Sequence, residues 1–303
     1  MNSSTLSYLT GLPRFEYFEP GTIEEACTLL NEYQDTARLL AGGTDILISM
    51  KTRETAPRHL INIKKIPGLN YIRHDDGDIL VIGPTTPLSD IENSDLVKDK
   101  NPLVAEAVGK IGSPSIRNIA TMAGNICNAL PSADSAPTLL CLGAEIKTQW
   151  INGSGEKSER IIPIEDFFAG PRQTVLKRNE ILKEIRIPSL ASKSKGAYIK
   201  FSQKTSMDLA IVGVAVLIQA EGGICNVCND IKIALGAVAP TPIRAKNSEG
   251  ILLKNELNTA NIHRAANAAA QEASPITDHR ASQQYRRDMI ERLVTLAINR
   301  LIG

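Results

Sequence analysis

The sequence predicts an α+β protein built of two domains. The chain has 303 residues, roughly twice the size of a common single domain. In its first part, short apolar runs alternate with helical patterns; from about residue 180 the pattern becomes a series of strands that ends in two helices. We therefore expect a domain boundary near residue 180, give or take about ten residues.

The composition argues against several classes of protein. The 34 Lys and Arg residues nearly balance the 33 Asp and Glu residues, for a net charge of +1, which argues against a nucleic-acid clamp. The longest uncharged apolar run, residues 209–218, is well short of the roughly 20 residues of a membrane-spanning helix. No secretory signal is visible, and five unevenly spaced cysteines do not form a disulfide framework. We expect a cytoplasmic protein without a membrane span.

The first element is a helix over residues 22–33. Thr22 can cap its first turn, and Glu25, three residues later, completes a capping box. One face of this helix is apolar at helical spacing, which indicates core. Its members are Ile23, Ala26, Cys27, Leu30 and Tyr33. Cys27 is therefore interpreted as a packing residue.

A glycine-bearing turn follows the first strand. The apolar run 37–41 leads into Gly42-Gly43-Thr44-Asp45 and then into a helical pattern over 46–51. A strand that feeds a glycine pair and a helix start can present backbone amides to an anion. Taken alone, this turn is better explained as an ordinary tight strand-to-helix connection, because it lacks both the GxGxxG and the GxxxxGK[ST] spacing.

The middle of the chain has further strands and one unusual loop. Strands are predicted at 60–63, 79–82 and 144–150, a helix at 102–111, and a hairpin tip at 152–160. Between the helix and the third strand lies a long segment rich in Gly, Ser, Thr and Asn, which is typical of a loop that wraps a ligand.

The last part is predicted to be an antiparallel sheet with two helices. Its expected strands are 181–188, 197–201, 209–219 and 231–238, with Gly222-Gly223 as a turn, and its helices are about 260–272 and 282–301. The buried face of the last helix is predicted from residues four apart: Tyr285, Met289, Leu293, Ala297 and Leu301.

Common catalytic signatures are absent from the sequence. The four histidines are scattered, and none belongs to an HExxH or GxSxG motif. No Rossmann fingerprint supports a nicotinamide-dependent dehydrogenase. Cys225 and Cys228 have the spacing of half a zinc or redox site, but no second pair exists, and the interpretation we favour is a strand turn with two small thiols.

A second glycine-bearing loop strengthens the case for a ligand site. Thr121-Met122-Ala123-Gly124-Asn125, followed by Asp134, supplies hydroxyl, amide and carboxylate groups. Two such loops suit a long, doubly phosphorylated nucleotide, with its pyrophosphate on backbone amides and its sugar hydroxyls on Asn, Thr and Asp.

Four runs of sequence carry a family resemblance. They are LLAGGTDI at 39–46, SPSIRNIATMAGNICNALPSAD at 113–134, GPRQTVLKRNEIL at 170–182 and YIKFSQKTSMDLA at 198–210. In this order, and with the closing RASQQYRRDMIERL helix, they resemble the FAD-binding medium subunit of the molybdenum hydroxylase family, which includes xanthine dehydrogenase and CO dehydrogenase.

The resemblance implies a fold and a binding site. The expected fold is a PCMH-like FAD-binding domain over 1–180, made of two α/β subdomains at about 1–65 and 66–180, followed by a C-terminal domain over 181–303. The first loop would hold the FAD pyrophosphate, Ile111 and Gly112 would border the flavin, and Leu176 and Lys200 would lie near a ring of the cofactor. The implied cofactor residues are Leu40, Ala41, Gly42, Gly43, Thr44, Asp45, Ile111, Gly112, Thr121, Gly124, Asn125, Asn128, Asp134, Leu176 and Lys200.

The resemblance also implies partners and an activity. Molybdopterin and 2Fe–2S clusters would reside on a large and a small partner subunit, in a dimer of heterotrimers, and electrons would leave through the FAD of this chain to an external acceptor. Two departures, Ala123 in place of a usual glycine and Leu130 in place of a usual serine, motivate an alternative: a non-catalytic nucleotide-binding or scaffolding protein of the same fold.

Overall fold

The protein has an α+β fold, as the sequence predicts. A computed structural model describes residues 11–191, 193–220 and 227–303. In these residues the strands form a three-stranded, a five-stranded and a four-stranded sheet, together with a small two-stranded one. No helix of the described chain combines the length and the apolar character that crossing a bilayer requires.

The N-terminal sheet is parallel and small. Its strands lie in the order β1-β3-β2. The elements of this part are β1 (Glu16–Phe18), α1 (Ile23–Tyr33), β2 (Ala37–Leu40), α2 (Ile46–Lys51) and β3 (His59–Asn62). The predicted cap is present, since Thr22 Oγ1 accepts from the Glu25 amide at 3.1 Å. Cys27 is fully buried in the core of this part, which confirms its interpretation as a packing residue.

The middle sheet is antiparallel and has helices packed against it. Its order is β4-β5-β10-β6-β7. Its strands are β4 (Ile72–Asp75), β5 (Ile79–Ile82), β6 (Glu145–Ile151), β7 (Lys157–Pro163) and β10 (Ile181–Pro188), with the short pair β8 (Phe168–Gly170) and β9 (Gln173–Thr174) between β7 and β10. The helices are α3 (Leu88–Asn93), α4 (Asp95–Lys100), α5 (Pro102–Gly109), α6 (Pro114–Arg117), α7 (Met122–Cys127) and α8 (Ser135–Leu142). Strands β6 and β7 form the predicted hairpin.

The strand β10 bears on the domain boundary. It pairs with β5 on one side and with β6 on the other, so residues 181–188 belong to the middle sheet and not to the C-terminal one. A boundary after Pro188 fits this pairing better than one at residue 180, and the division into domains stays a prediction.

The C-terminal part is an antiparallel sheet covered by helices. The order is β11-β12-β13-β14. Its elements are β11 (Ser194–Phe201), β12 (Val212–Ala220), β13 (Cys228–Gly236), β14 (Ile243–Arg244), α9 (Lys246–Leu252), α10 (Thr259–Glu272) and α11 (Gln283–Ile302). The predicted turn at Gly222-Gly223 and Cys225 lie outside the described residues. Cys228 is buried, and burial raises the pKa of its thiol to about 11.

The predicted inner face of α11 is wrong in part. Tyr285 is 45% exposed, whereas the buried residues are Arg286, Ile290, Leu293, Val294, Ala297 and Ile298. The observed stripe follows the 3.6-residue period, and a spacing of four residues drifts away from it over a long helix. The sequence pattern therefore missed a buried arginine.

A charged cluster on the middle sheet gives a testable pH dependence. Burial raises the pKa of Glu159, but hydrogen bonds from Lys183, Lys147 and Lys157 outweigh it and lower the pKa to about 2. A lowered carboxyl pKa stabilises the folded state above the unfolded-state value, and that stability is lost as the pH falls toward the folded value. Glu159→Gln is therefore expected to cost about 2 kcal/mol at pH 7, allowing for solvent screening, and less near pH 3. Urea unfolding at both pH values tests this; an equal cost at both would contradict it.

Candidate functional site

Two glycine-bearing loops meet in space at one cleft. Gly42 is packed so closely on the backbone before the second loop that a Cβ placed there would lie 2.4 Å from the Ile119 carbonyl oxygen and 2.7 Å from the Ala120 Cα. The cleft beside this contact has a volume of about 1080 Å³ and receives residues from all three larger parts of the fold. The first and second loops, some 80 residues apart in sequence, therefore form one site.

The first loop presents unused backbone donors. It connects β2 to α2, and Gly43 takes a φ of +77°, which favours glycine. Within the described chain, the N–H groups of Gly42, Gly43, Thr44 and Asp45 donate to no acceptor, and all four residues line the cleft. Successive free N–H groups in such a turn form a concavity that suits an anion.

The second loop adds side-chain amides. Thr121 caps α7, its Oγ1 accepting from the Gly124 amide at 3.0 Å. The Asn125 side-chain oxygen accepts from the Ser135 hydroxyl at 2.7 Å. The side-chain NH₂ groups of Asn125 and Asn128 donate to no described residue, although both asparagines line the cleft. These donors are available to a ligand.

A buried ion pair closes one wall. Asp134, only 6% exposed, accepts from the Tyr198 hydroxyl at 2.7 Å and from Lys200 Nζ at 2.8 Å. Lys200 also donates to the Lys110 carbonyl at 3.0 Å, next to Ile111. Burial raises the pKa of the Asp134 carboxyl, against the charge of Lys200 and the two hydrogen bonds. The pair ties the second loop to the C-terminal sheet.

The C-terminal domain supplies a further wall through the loop after β11. Met207, Asp208 and Leu209 line the cleft, and Met207, 72% exposed, donates its amide to the Gly112 carbonyl at 3.2 Å. Gly112 itself has a φ of +55°. Residues 111–112 therefore line the cleft, and a hydrogen bond joins them to the loop after β11.

The structure brings together all but one of the residues that the sequence implied. Leu40 does not line the cleft; it ends β2 and lies below Gly43, whose added Cβ would be 3.2 Å from the Leu40 Cδ1. The residues that line the cleft are Ala41, Gly42, Gly43, Thr44, Asp45, Ile111, Gly112, Thr121, Gly124, Asn125, Asn128, Asp134, Leu176 and Lys200. Their individual roles in binding stay predictions.

Other cleft residues were missed. Arg172 lies at the tip of the β8–β9 hairpin, donates its amide to the Ala129 carbonyl at 2.9 Å and pairs with Glu54 at 3.4 Å. Lys177 also lines the cleft, beside Leu176. Both residues could have been predicted, because they belong to the same 170–182 run from which Leu176 was predicted.

One of the two departures from the family pattern is structurally harmless. Ala123 is buried inside α7 and is not among the residues with positive φ, so a glycine is not required there. Leu130 and Ser132 both line the cleft.

The donor set fits a nucleotide with a diphosphate. Four free backbone N–H groups suit its anionic oxygens, and the amides of Asn125 and Asn128 suit neutral oxygens such as hydroxyls. Within the described residues, no group of His, Cys, Asp and Glu is arranged to hold a metal ion.

Comparison with known proteins places the chain in a family. A family model described as "FAD binding domain in molybdopterin dehydrogenase" matches residues 13–190, and one described as "CO dehydrogenase flavoprotein C-terminal domain" matches residues 197–301. The carbon monoxide dehydrogenase medium chain of Hydrogenophaga pseudoflava is 36% identical over 287 residues, covering 95% of this chain and 96% of that protein. The xanthine dehydrogenase FAD-binding subunit of Escherichia coli O157:H7 is 29% identical over 288 residues, with coverage of 95% and 96%.

A solved structure agrees with these sequence matches. Carbon monoxide dehydrogenase from Hydrogenophaga pseudoflava, in a form that lacks the Mo-pyranopterin moiety of its cofactor, matches with a TM-score of 0.90 at 36% identity, covering 96% of this chain and 98% of the matched chain. The chain belongs to the FAD-binding medium subunits of the molybdenum hydroxylase family, and it is an oxidoreductase subunit.

Proposed function

We propose that this chain binds FAD in the cleft between its two glycine-bearing loops and serves as the electron exit of a molybdenum hydroxylase complex. The observation that carries the proposal is the backbone contact at Gly42, which joins four free N–H groups to the amide-bearing second loop. A family match that spans both domains supports the same cofactor.

The residues of the cleft would share the work of binding. The amides of 42–45 would hold the diphosphate, and Asn125 and Asn128 would donate to sugar or ribityl oxygens. Asp134 accepts two hydrogen bonds already, but carboxylate oxygens have further lone pairs for a ligand hydroxyl. The Asp134–Lys200 pair would also place a fixed charge beside the site, and such charges tune a flavin's potential.

The chemistry requires partner subunits. When bound, FAD supplies a centre that takes electrons singly from iron–sulfur clusters and passes them to an external acceptor. The described cysteines, Cys27, Cys127, Cys141 and Cys228, are free thiols, and for each of them burial raises the pKa. They give no cluster site, so we assign the 2Fe–2S and molybdopterin cofactors to a small and a large partner subunit, in a dimer of heterotrimers.

The test is an equilibrium titration of the full chain with FAD and with riboflavin, which lacks the diphosphate and the adenosine. Hydrogen bonds to charged groups contribute about 1.5–3 kcal/mol each, so we expect FAD to bind at least about 100-fold more tightly. Purified protein should also be yellow and release FAD on denaturation. A colourless protein that takes up neither compound would overturn the proposal. Full flavin reduction by reconstituted partners and their substrate would exclude a scaffolding role.

A further inference from the structure

A buried arginine of the C-terminal domain has no role in the site described above. Arg286 lies in the first turn of α11, and its side chain is 1% exposed. Its Nη1 donates to the Ile211 carbonyl at 2.5 Å and to the Ala237 carbonyl at 3.2 Å, and its Nη2 donates to Asp278 Oδ1 at 2.8 Å. A buried guanidinium is costly unless such partners satisfy it.

Asp278, which orients Arg286, is itself held by several hydrogen bonds. Asp278 accepts from the backbone amides of Arg280 and Ala281 and from the Arg280 side chain. Because the carboxylate is held in this way, the Nη2 atom of the planar Arg286 guanidinium is fixed, and Nη1 is directed at the two backbone carbonyls. Lysine would not reproduce this geometry, because its ammonium is a single point donor group on a flexible stem.

The first of these carbonyls belongs to the loop that lines the cleft. Ile211 lies two residues after Leu209, the last of the cleft-lining residues 207–209, and it closes the loop by donating its amide to the Phe201 carbonyl at 2.8 Å. The Gln203 side chain of the same loop donates to the Arg280 carbonyl at 3.2 Å. The cluster around Asp278 therefore contacts this loop at two points.

The second carbonyl leads to the other side of the cleft. Ala237 has a φ of +65°, and its amide donates to the Pro131 carbonyl at 2.6 Å. Pro131 stands in the second glycine-bearing loop, between Leu130 and Ser132, both of which line the cleft. A single residue, Ala237, thus connects the Arg286 guanidinium to a wall of the cleft through two hydrogen bonds.

We propose that Arg286 is a positioning residue for the nucleotide cleft. From inside the C-terminal domain, it holds the 203–209 loop and the Pro131 segment in fixed positions relative to each other. The inference rests on the proposed function as regards the ligand, and it adds a residue that touches neither the cleft nor a ligand. Its loss would loosen both walls together.

The variants for the test are Arg286→Lys and Asp278→Asn. Arg286→Lys keeps the positive charge but loses the planar guanidinium, whereas Asp278→Asn keeps the guanidinium and weakens the group that orients it. The matched control is Arg244→Lys. Arg244 is also mostly buried and paired with carboxylates, Glu249 at 2.7 Å and Glu165 at 3.1 Å, but neither partner belongs to the 203–209 loop or the Pro131 segment.

The first measurement is hydrogen exchange at two backbone amides: that of Met207, which bonds to Gly112, and that of Ala237, which bonds to Pro131. The second is the Kd for FAD. Both use the full chain at a temperature below the unfolding midpoint of each variant. We expect exchange at both amides to rise at least about 10-fold in Arg286→Lys or Asp278→Asn, and the Kd for FAD to rise about 10-fold, with neither change in Arg244→Lys. Wild-type exchange and affinity in both Arg286→Lys and Asp278→Asn, even with a lower midpoint, would overturn the inference. If the wild-type chain does not bind FAD, the proposed function fails, and exchange alone then decides on Arg286.

Discussion

Gly42→Ala is expected to weaken FAD binding by about 100-fold. The added methyl group would lie 2.4 Å from the Ile119 carbonyl oxygen and 2.7 Å from the Ala120 Cα. Both are backbone atoms and cannot swing aside as a side chain does, so the two loops must separate. Overpacking of this kind costs about 1–3 kcal/mol, and the separation also removes the arrangement of N–H groups that the diphosphate requires. The measurement is the Kd for FAD by flavin fluorescence, with thermal unfolding in parallel.

Gly153→Ala is the matched control. Gly153 lies in the β6–β7 hairpin, has no neighbouring atom within 4 Å of an added Cβ, and is not among the glycines with positive φ. We expect the wild-type Kd for this variant. An unchanged Kd in Gly42→Ala as well would show that the contact between the loops does not matter for binding.

Lys200→Met is expected to destabilise the protein by about 3 kcal/mol at pH 7. The substitution leaves the buried Asp134 carboxylate with the Tyr198 hydroxyl and no counter-charge, and removing one partner of a buried ion pair costs about 3–5 kcal/mol. Burial already raises the pKa of Asp134. An acid with a raised folded-state pKa favours the folded protein when it is protonated, so the loss should shrink as the pH falls through that pKa.

A double-mutant cycle separates the pair from its parts. Asp134→Asn in the Lys200→Met background removes the stranded charge and is expected to recover most of the lost free energy of unfolding, measured with urea. Lys204→Met, on an exposed lysine in the loop that follows β11, is the control and should have little effect. Strictly additive losses in the double mutant would contradict a coupled pair.

Local sequence signals predicted most of the secondary structure. The Thr22–Glu25 cap, the strand at 181–188 and the hairpin tip predicted at 152–160 each depend on a few adjacent residues, so the sequence could show them, although residues 157–160 belong to β7. The glycine turns were visible for the same reason. The pair of loops predicted one shared ligand site, but no periodicity reveals that residue 42 packs on residue 119.

Other features depend on tertiary contacts that the sequence does not display. The strand β10 looks like the start of the C-terminal sheet until its pairing with β5 and β6 is seen. Arg286 breaks the apolar pattern of α11, since two of the acceptors of its buried guanidinium are carbonyls 49 and 75 residues away in the chain. Leu40 is adjacent to the first loop, but a strand alternates its side chains between faces, and adjacency alone does not bring Leu40 into the cleft.

A crystal structure of the chain grown with FAD is the most direct test of the central claim. We predict the diphosphate oxygens within hydrogen-bond distance, about 2.7–3.2 Å, of the amide nitrogens of Gly43, Thr44 and Asp45, with the second loop against the same nucleotide. A nucleotide bound elsewhere on the chain, with these amides facing only water, would contradict the account.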